Sequence, residues 1–308
     1  MERISGKRVS QPVRQVSGVV RGPVEGISTE EKFNGISISI TPGISEYFHG
    51  YLGLKSLGVL SETSKDMQNV VYEYMEAYRK EEVLKKILGD RFLGSDLLEK
   101  SWPADEKRKG VMGIPAFPDS LTVERIREAG DNHVLVCVPK SINGKPVTLM
   151  NLKNDLWQDA KSSKRKETFL HCNDPWYPNE SFATRAVPSG WFLVRTDVVE
   201  ASRNERYEEV ENKGLINEYK RKGWRELDAG LAIFSMIMYS LSTGRNDMLN
   251  IREDNATWCR DQRDLPLAGY RVYVRFNFDN GLHLYCNSAS YHASHIGCGL
   301  VLDFCRDA

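Results

Sequence analysis

The chain is 308 residues long, enough for one large domain or two ordinary ones. Its 42 Lys and Arg balance 42 Asp and Glu, so net charge gives no reason to expect nucleic acid or an anionic membrane as partner, and a 41% hydrophobic fraction excludes a disordered chain. The longest apolar run, Leu231 to Leu241, is interrupted by Ser235 and Ser240 and is too short to span a membrane.

The N-terminal charges of residues 1–8 are not followed by an apolar segment, so no secretory signal is expected. Six cysteines (Cys137, Cys172, Cys259, Cys286, Cys298, Cys305) share no repeated spacing, which suits reduced, mostly buried thiols.

Period-two alternation predicts strands over Val16 to Val20 and Phe33 to Ile40. A helix is predicted to open at Ser61 and run to Leu88, with Gly89 as C-cap. A shorter helix is expected over Ser95 to Lys100. Three prolines and a charge run between Trp102 and Pro118 mark the best candidate boundary, dividing an N-terminal β/helical segment (1–110) from a C-terminal domain (115–308). Beyond it the sequence predicts a helix over Leu121 to Ala129, capped by Asp119 or Ser120, and a strand over His133 to Val138. A turn at Asn143-Gly144 should lead into another strand ending near Met150. Trp191 to Arg195 reads as a strand, Val198 to Tyr207 as a helix capped by Thr196-Asp197, and Leu227 to Leu241 as a mostly buried helix ending near Gly244. Asp247 to Arg263 reads as a polar loop. Arg271 to Arg275 and Leu282 to Cys286 form a hairpin around Asp279-Asn-Gly281, and Gly299 to Phe304 is the last strand. The fold class expected is therefore α+β.

The tail is unusual. From Asp264 onward there is no Lys, Glu, Gln, Met, Trp or Thr, and Asn, Ser, Tyr, His and Asp stand in their place. In Leu282 to Cys286, alternation separates Leu282 and Leu284 from His283, Tyr285 and Asn287. Tyr offers a large contact area for few rotatable bonds, and Asn, Ser and His offer adaptable hydrogen bonds, as in antibody paratopes.

The order of pieces resembles the C-type lectin fold in its formylglycine-generating-enzyme-like form. The residues that carry the likeness are Trp191-Phe-Leu-Val-Arg195, the helix after Thr196-Asp197, the helix before Ser242-Thr-Gly244, Gly269-Tyr-Arg-Val272 and the closing Ile296-Gly-Cys-Gly-Leu-Val-Leu302. Within that fold the tail is similar to the variable region of proteins diversified by retroelements. In such systems adenines of a template copy are mutated, and an Asn codon randomised in this way never yields Lys, Glu, Gln, Met or Trp. The resemblance implies a ligand- or receptor-binding protein rather than an enzyme, with no cofactor and a variable region of about 270–298. The contact set it implies is Arg275, Asn277, Asn280, His283, Tyr285, Asn287, Ser288, Ser290, Tyr291, His292, Ser294 and His295. Its partner would be a protein or cell-surface ligand, the chain itself being carried on a virion or cell surface through another component, with oligomeric state left open. Trp258 and Tyr270 flank this region as candidate aromatic anchors, although core packing is the commoner role for both.

Three other chemistries compete with this reading. Cys286, His292, His295 and Cys298 supply four zinc-ligand types but lack CxxC spacing. The copper-binding cysteine pair of formylglycine-generating enzymes has no matching pair among Cys259, Cys286, Cys298 and Cys305. Calcium-dependent sugar binding needs clustered carboxylates, and the tail has no Glu.

Overall fold

A computed structural model describes residues 29–33, 36–40, 79–156, 176–245, 248, 256–262, 264, 269–277, 281–291 and 295–304. The chain forms two compact units, Met1–Tyr72 and Glu73–Ala308. In the first, β1 (Thr29–Phe33) and β2 (Ile36–Ile40) pair antiparallel, with Phe33 opposite Ile36. The run expected as one strand is thus divided after Phe33. The predicted strand Val16 to Val20 and the helix start at Ser61 lie outside the described residues.

The second unit is mixed α+β. It begins with helix α1 (79–88), which buries Leu84 and Leu88 and stops where Gly89 takes a φ of +56°, a conformation that favours glycine. In chain order there follow β3 (Phe92–Leu93), α2 (Ser95–Ser101), β4 (Val111–Met112), α3 (Val123–Ala129), β5 (His133–Val138), β6 (Ser141–Ile142) and β7 (Lys145–Pro146). Then come α4 (Leu149–Asn151), α5 (Ser181–Thr184), β8 (Gly190–Arg195), α6 (Tyr207–Asn212), α7 (Asn217–Arg221), β9 (Trp224–Glu226) and α8 (Ala229–Thr243). Five strands close the chain: β10 (Ala256–Gln262), β11 (Tyr270–Asn277), β12 (Gly281–Ser288), β13 (Ile296–Cys298) and β14 (Leu300–Asp303).

Two larger sheets result, ordered β3-β5-β8-β14-β9 and β12-β11-β10-β13. Between them lies α8, which touches β3 and β5 of one and β10 and β11 of the other. Every residue from Ala229 to Tyr239 is buried, as a helix covered on all sides requires. β14 pairs antiparallel with both β8 and β9, so this strand lies inside its sheet. The chain crosses from one sheet to the other at Gly299. A Cβ there would come within 2.6 Å of Thr257 Oγ1 on β10, and one at Gly297 within 2.7 Å of Val198 Cγ2, so both glycines of the closing motif answer to packing.

Several expectations are corrected. The α3 helix is capped not by Asp119 or Ser120 but by Thr122, whose hydroxyl accepts from the Arg125 N–H. Where a helix was expected over Val198 to Tyr207, there is a 3-10 turn at Glu200–Ser202, and α6 begins only at Tyr207. Asn204, with φ +61°, cannot continue a right-handed helix, and Asp197 pairs with Arg195 rather than capping. The Asn143-Gly144 turn joins two strands of only two residues each. The largest correction is β10. Asp247 to Arg263 reads as a polar loop, yet Ala256–Gln262 is a central strand between β11 and β13.

The polar residues of β10 have a structural purpose. Asp261 accepts the Ala229 N–H at 2.7 Å, capping α8 from another element because the Asp228 side chain does not. Asp228 instead gathers Arg185 (3.5 Å), Arg225 (2.6 Å) and Arg260, while Arg185 also pairs with Asp261. Arg225 reaches Asp303 on β14 at 3.7 Å. One charge network, built on the buried carboxylates of Asp228 and Asp261, thereby ties both sheets to the start of α8.

His133 on β5 is a second buried polar group. Its Nδ1–H points at Gly130 O at 3.4 Å, its ring lies 4.9 Å from that of Trp224, and Nε2 has no hydrogen-bond partner. Burial pushes its pKa down to about 4, and Arg195 adds to the effect. The neutral ring is the folded form, whereas the unfolded chain takes up a proton near pH 6.5. Stability from this group is full above about pH 6.5 and is lost as pH falls towards 4. Between pH 7 and 5 the loss is about 2 kcal/mol. Urea titrations at both pH values check it: the wild type should lose about that much more than His133→Phe, and equal losses would contradict the assignment.

Candidate functional site

The hairpin of β11 and β12 sorts the tail into two faces. Val272 stands opposite Cys286 and Val274 opposite Leu284. On the other face Arg271 meets Asn287, Tyr273 meets Tyr285, and Arg275 meets His283. The first face is core: Val272, Val274 and Leu284 are fully buried, and β11 packs on α8. The second face continues across the sheet through Trp258 on β10 and Cys298 on β13.

An aromatic ladder crosses this second face. Tyr207 of α6 meets Trp258 edge-on at 6.0 Å, and Trp258 meets Tyr273 edge-on at 5.3 Å. Tyr273 stacks on Tyr285 at 5.2 Å, and Tyr285 on His283 at 5.7 Å. Exposure changes along it. Trp258 is 1% exposed and Tyr273 7%, Tyr285 is half-buried, and Tyr291 beyond the strand is 39% exposed. Burial, with Tyr291 and Tyr285 nearby, pushes the Tyr273 phenol well above its usual range. The Asn287 amide donates to Tyr273 Oη at 3.4 Å.

The turn after β12 is built to hold its side chains. Tyr291 N–H donates to Ser288 O at 2.8 Å, the hydroxyls of Ser288 and Ser290 lie 2.7 Å apart, and Ser290 N–H donates to Ser288 Oγ. Ala289 is fixed from both sides, donating to Gly269 O and accepting from Glu208 N–H at the start of α6.

Of the predicted contact set, Tyr285, Asn287 and Ser288 are half-exposed and Ser290 and Tyr291 exposed, and the structure brings them together at one end of the ladder. His283 shares the face but is buried, with 8% exposure. Arg275 and His295 are half-buried, and burial followed by the Arg275 charge lowers the His295 pKa. The side chain of Asn277, and Asn280, His292 and Ser294 altogether, lie outside the described residues. Trp258, a candidate anchor, belongs to the core, while Tyr270 is half-buried. Tyr273 was absent from the sequence-derived set although it adjoins two members. Arg271 is committed to the scaffold, its guanidinium 4.2 Å over the Tyr207 ring and hydrogen-bonded to Arg260 O.

The rival metal set is split by the fold. Cys286 and Cys298 lie three strands apart, about 14 Å, and on opposite faces of the sheet, beyond the reach of one zinc ion. Among the described residues, no group of three or more His, Cys, Asp or Glu could hold a metal ion. Cys259 and Cys298 likewise sit on opposite faces, and burial pushes both thiols up, Cys298 to about 12. Among the described residues no helix is long and apolar enough to cross a membrane.

No protein-family profile, curated protein or solved structure matches the chain. The site must therefore be read from its own chemistry.

Exposure fixes what substitution should do here. Tyr291→Ala is expected to change stability by no more than about 0.5 kcal/mol, as for other exposed positions. Tyr285→Ala, which loses its stacks on Tyr273 and His283, should cost about 2 kcal/mol. Urea denaturation checks both, and a loss of about 3 kcal/mol for Tyr285→Ala would mean that the ring belongs to the core.

Proposed function

We propose that the second unit is a recognition domain whose contact surface is the half-exposed flank of the aromatic ladder and the turn that follows it: Tyr285, Asn287, Ser288, Ser290 and Tyr291. The observation that carries this is the separation of the hairpin into two faces. One is apolar and holds the fold, and the other ends in polar and aromatic side chains whose replacement costs far less than replacement of the core face. The reading includes diversification by a retroelement on a C-type lectin-like scaffold. Its support is the tail composition, which lacks the five residues that an adenine-mutated Asn codon never yields. A central helix and a closing strand paired with β8 are compatible with such a scaffold. The ligand class is a protein or cell-surface molecule, the chain is not an enzyme, and binding needs no metal.

The test is a display library with the codons of those five residues randomised, panned on streptavidin and, separately, on lysozyme. The proposal expects binders to each target that differ from one another at those positions alone. If folded clones yield no binder to either target, the recognition reading fails.

A further inference from the structure

We infer that Tyr273 is the positioning residue of this surface, a fixed support that orders Tyr285 and Asn287 before any partner arrives; the inference rests on the recognition reading above. Tyr273 stands directly opposite Tyr285 across the β11–β12 ladder and stacks on it at 5.2 Å with an interplanar angle of 18°. Its hydroxyl accepts from the Asn287 amide at 3.4 Å, so a single side chain touches two members of the contact set. Tyr273 itself is only 7% exposed, and its far side is held edge-on by Trp258, which Tyr207 holds in turn. A partner therefore meets Tyr285 and Asn287, while Tyr273 stands beside them, nearer the core.

The physical advantage is preorganisation. Half-exposed side chains in free rotation lose rotamer entropy when a partner orders them, and a rigid ring beside them removes part of that cost beforehand. This also separates roles on one face. Specificity resides in side chains that can change, and affinity depends on one that cannot.

A three-codon library that randomises Ser288, Ser290 and Tyr291 and keeps Tyr285 and Asn287, built in the wild-type, Tyr273→Phe and Tyr273→Leu backgrounds, tests the inference on streptavidin. Each library is first selected for protease resistance so that only folded clones are counted. The Leu substitution removes both ring and hydroxyl, and binder recovery per folded clone should fall at least about tenfold, the loss expected when two contact side chains must be ordered on binding. The Phe substitution keeps the ring and removes only the acceptor for Asn287, so recovery should fall several-fold, between the other two. Recovery equal to wild type in both variant libraries overturns the positioning role and leaves the recognition reading standing. If the wild-type library also yields no binder, the recognition reading falls and this inference with it. Should no clone of the Tyr273→Leu library survive protease, the Tyr273→Phe library decides alone, and equal recovery there overturns the inference.

Discussion

Asp228→Ala is expected to destabilise the second unit by about 2–3 kcal/mol, less than for a fully buried ion pair because the Arg185 and Arg260 guanidinium groups are half-exposed and water can take over part of their solvation. The Asp228 side chain is 7% exposed and faces three guanidinium groups. Arg225, itself 14% exposed, would keep its bond to Glu226 O at 3.1 Å and the 3.7 Å contact with Asp303. Arg185 would retain Asp261, so its end of the network survives. The damage should therefore concentrate where β9 meets the start of α8. Urea denaturation measures it; a loss below about 1 kcal/mol would mean that the arginines are held by water rather than by the carboxylate.

Leu284→Asp should have a larger effect. Leu284 is fully buried and stands opposite Val274 on the face of the hairpin that packs toward α8. Removing it forfeits about 2–5 kcal/mol of packing, and an unpaired carboxylate in apolar surroundings adds more. Domain stabilities are about 5–15 kcal/mol, so the unit should lose its cooperative thermal transition. The neighbouring Tyr285→Ala should melt as one folded species. Two adjacent residues in one strand with such different outcomes would bear directly on the two-faced hairpin; a cooperative melt for Leu284→Asp would count against it.

Much of the fold was legible in residues with strong local signals. The alternation around Asp279-Asn280-Gly281 revealed the hairpin, the apolar run from Leu231 revealed α8, and Gly244, at φ +69°, ends that helix as expected. What escaped reading depends on partners distant in sequence. Ala256–Gln262 is rich in Thr, Arg, Asp and Gln, and it is a central strand because Asp261 caps α8 and Arg260 joins Asp228. Neither contact has a local signature. Arg203-Asn204 looked compatible with a helix, and the backbone turns there instead.

The site shows the same division. Alternation put His283, Tyr285 and Asn287 on one face, and they share it, but period two names a face without saying what covers it. His283 is buried by its surroundings, beside Tyr285 and opposite Arg275. Tyr273 was missed because cross-strand register depends on loop length. Only the pairing of Asn277 with Gly281 brings Tyr273 opposite Tyr285.

Diversification of this surface can be read in the DNA that flanks the coding region. Sequencing it should find a near-identical downstream repeat beside a reverse transcriptase gene, differing from the coding copy only at adenines. Those differences should fall in the codons of Tyr285, Asn287, Ser288, Ser290 and Tyr291 and spare those of Leu284 and Tyr273. Flanking DNA with neither repeat nor reverse transcriptase would contradict diversification, and a repeat whose differences fall at the buried positions would contradict the surface.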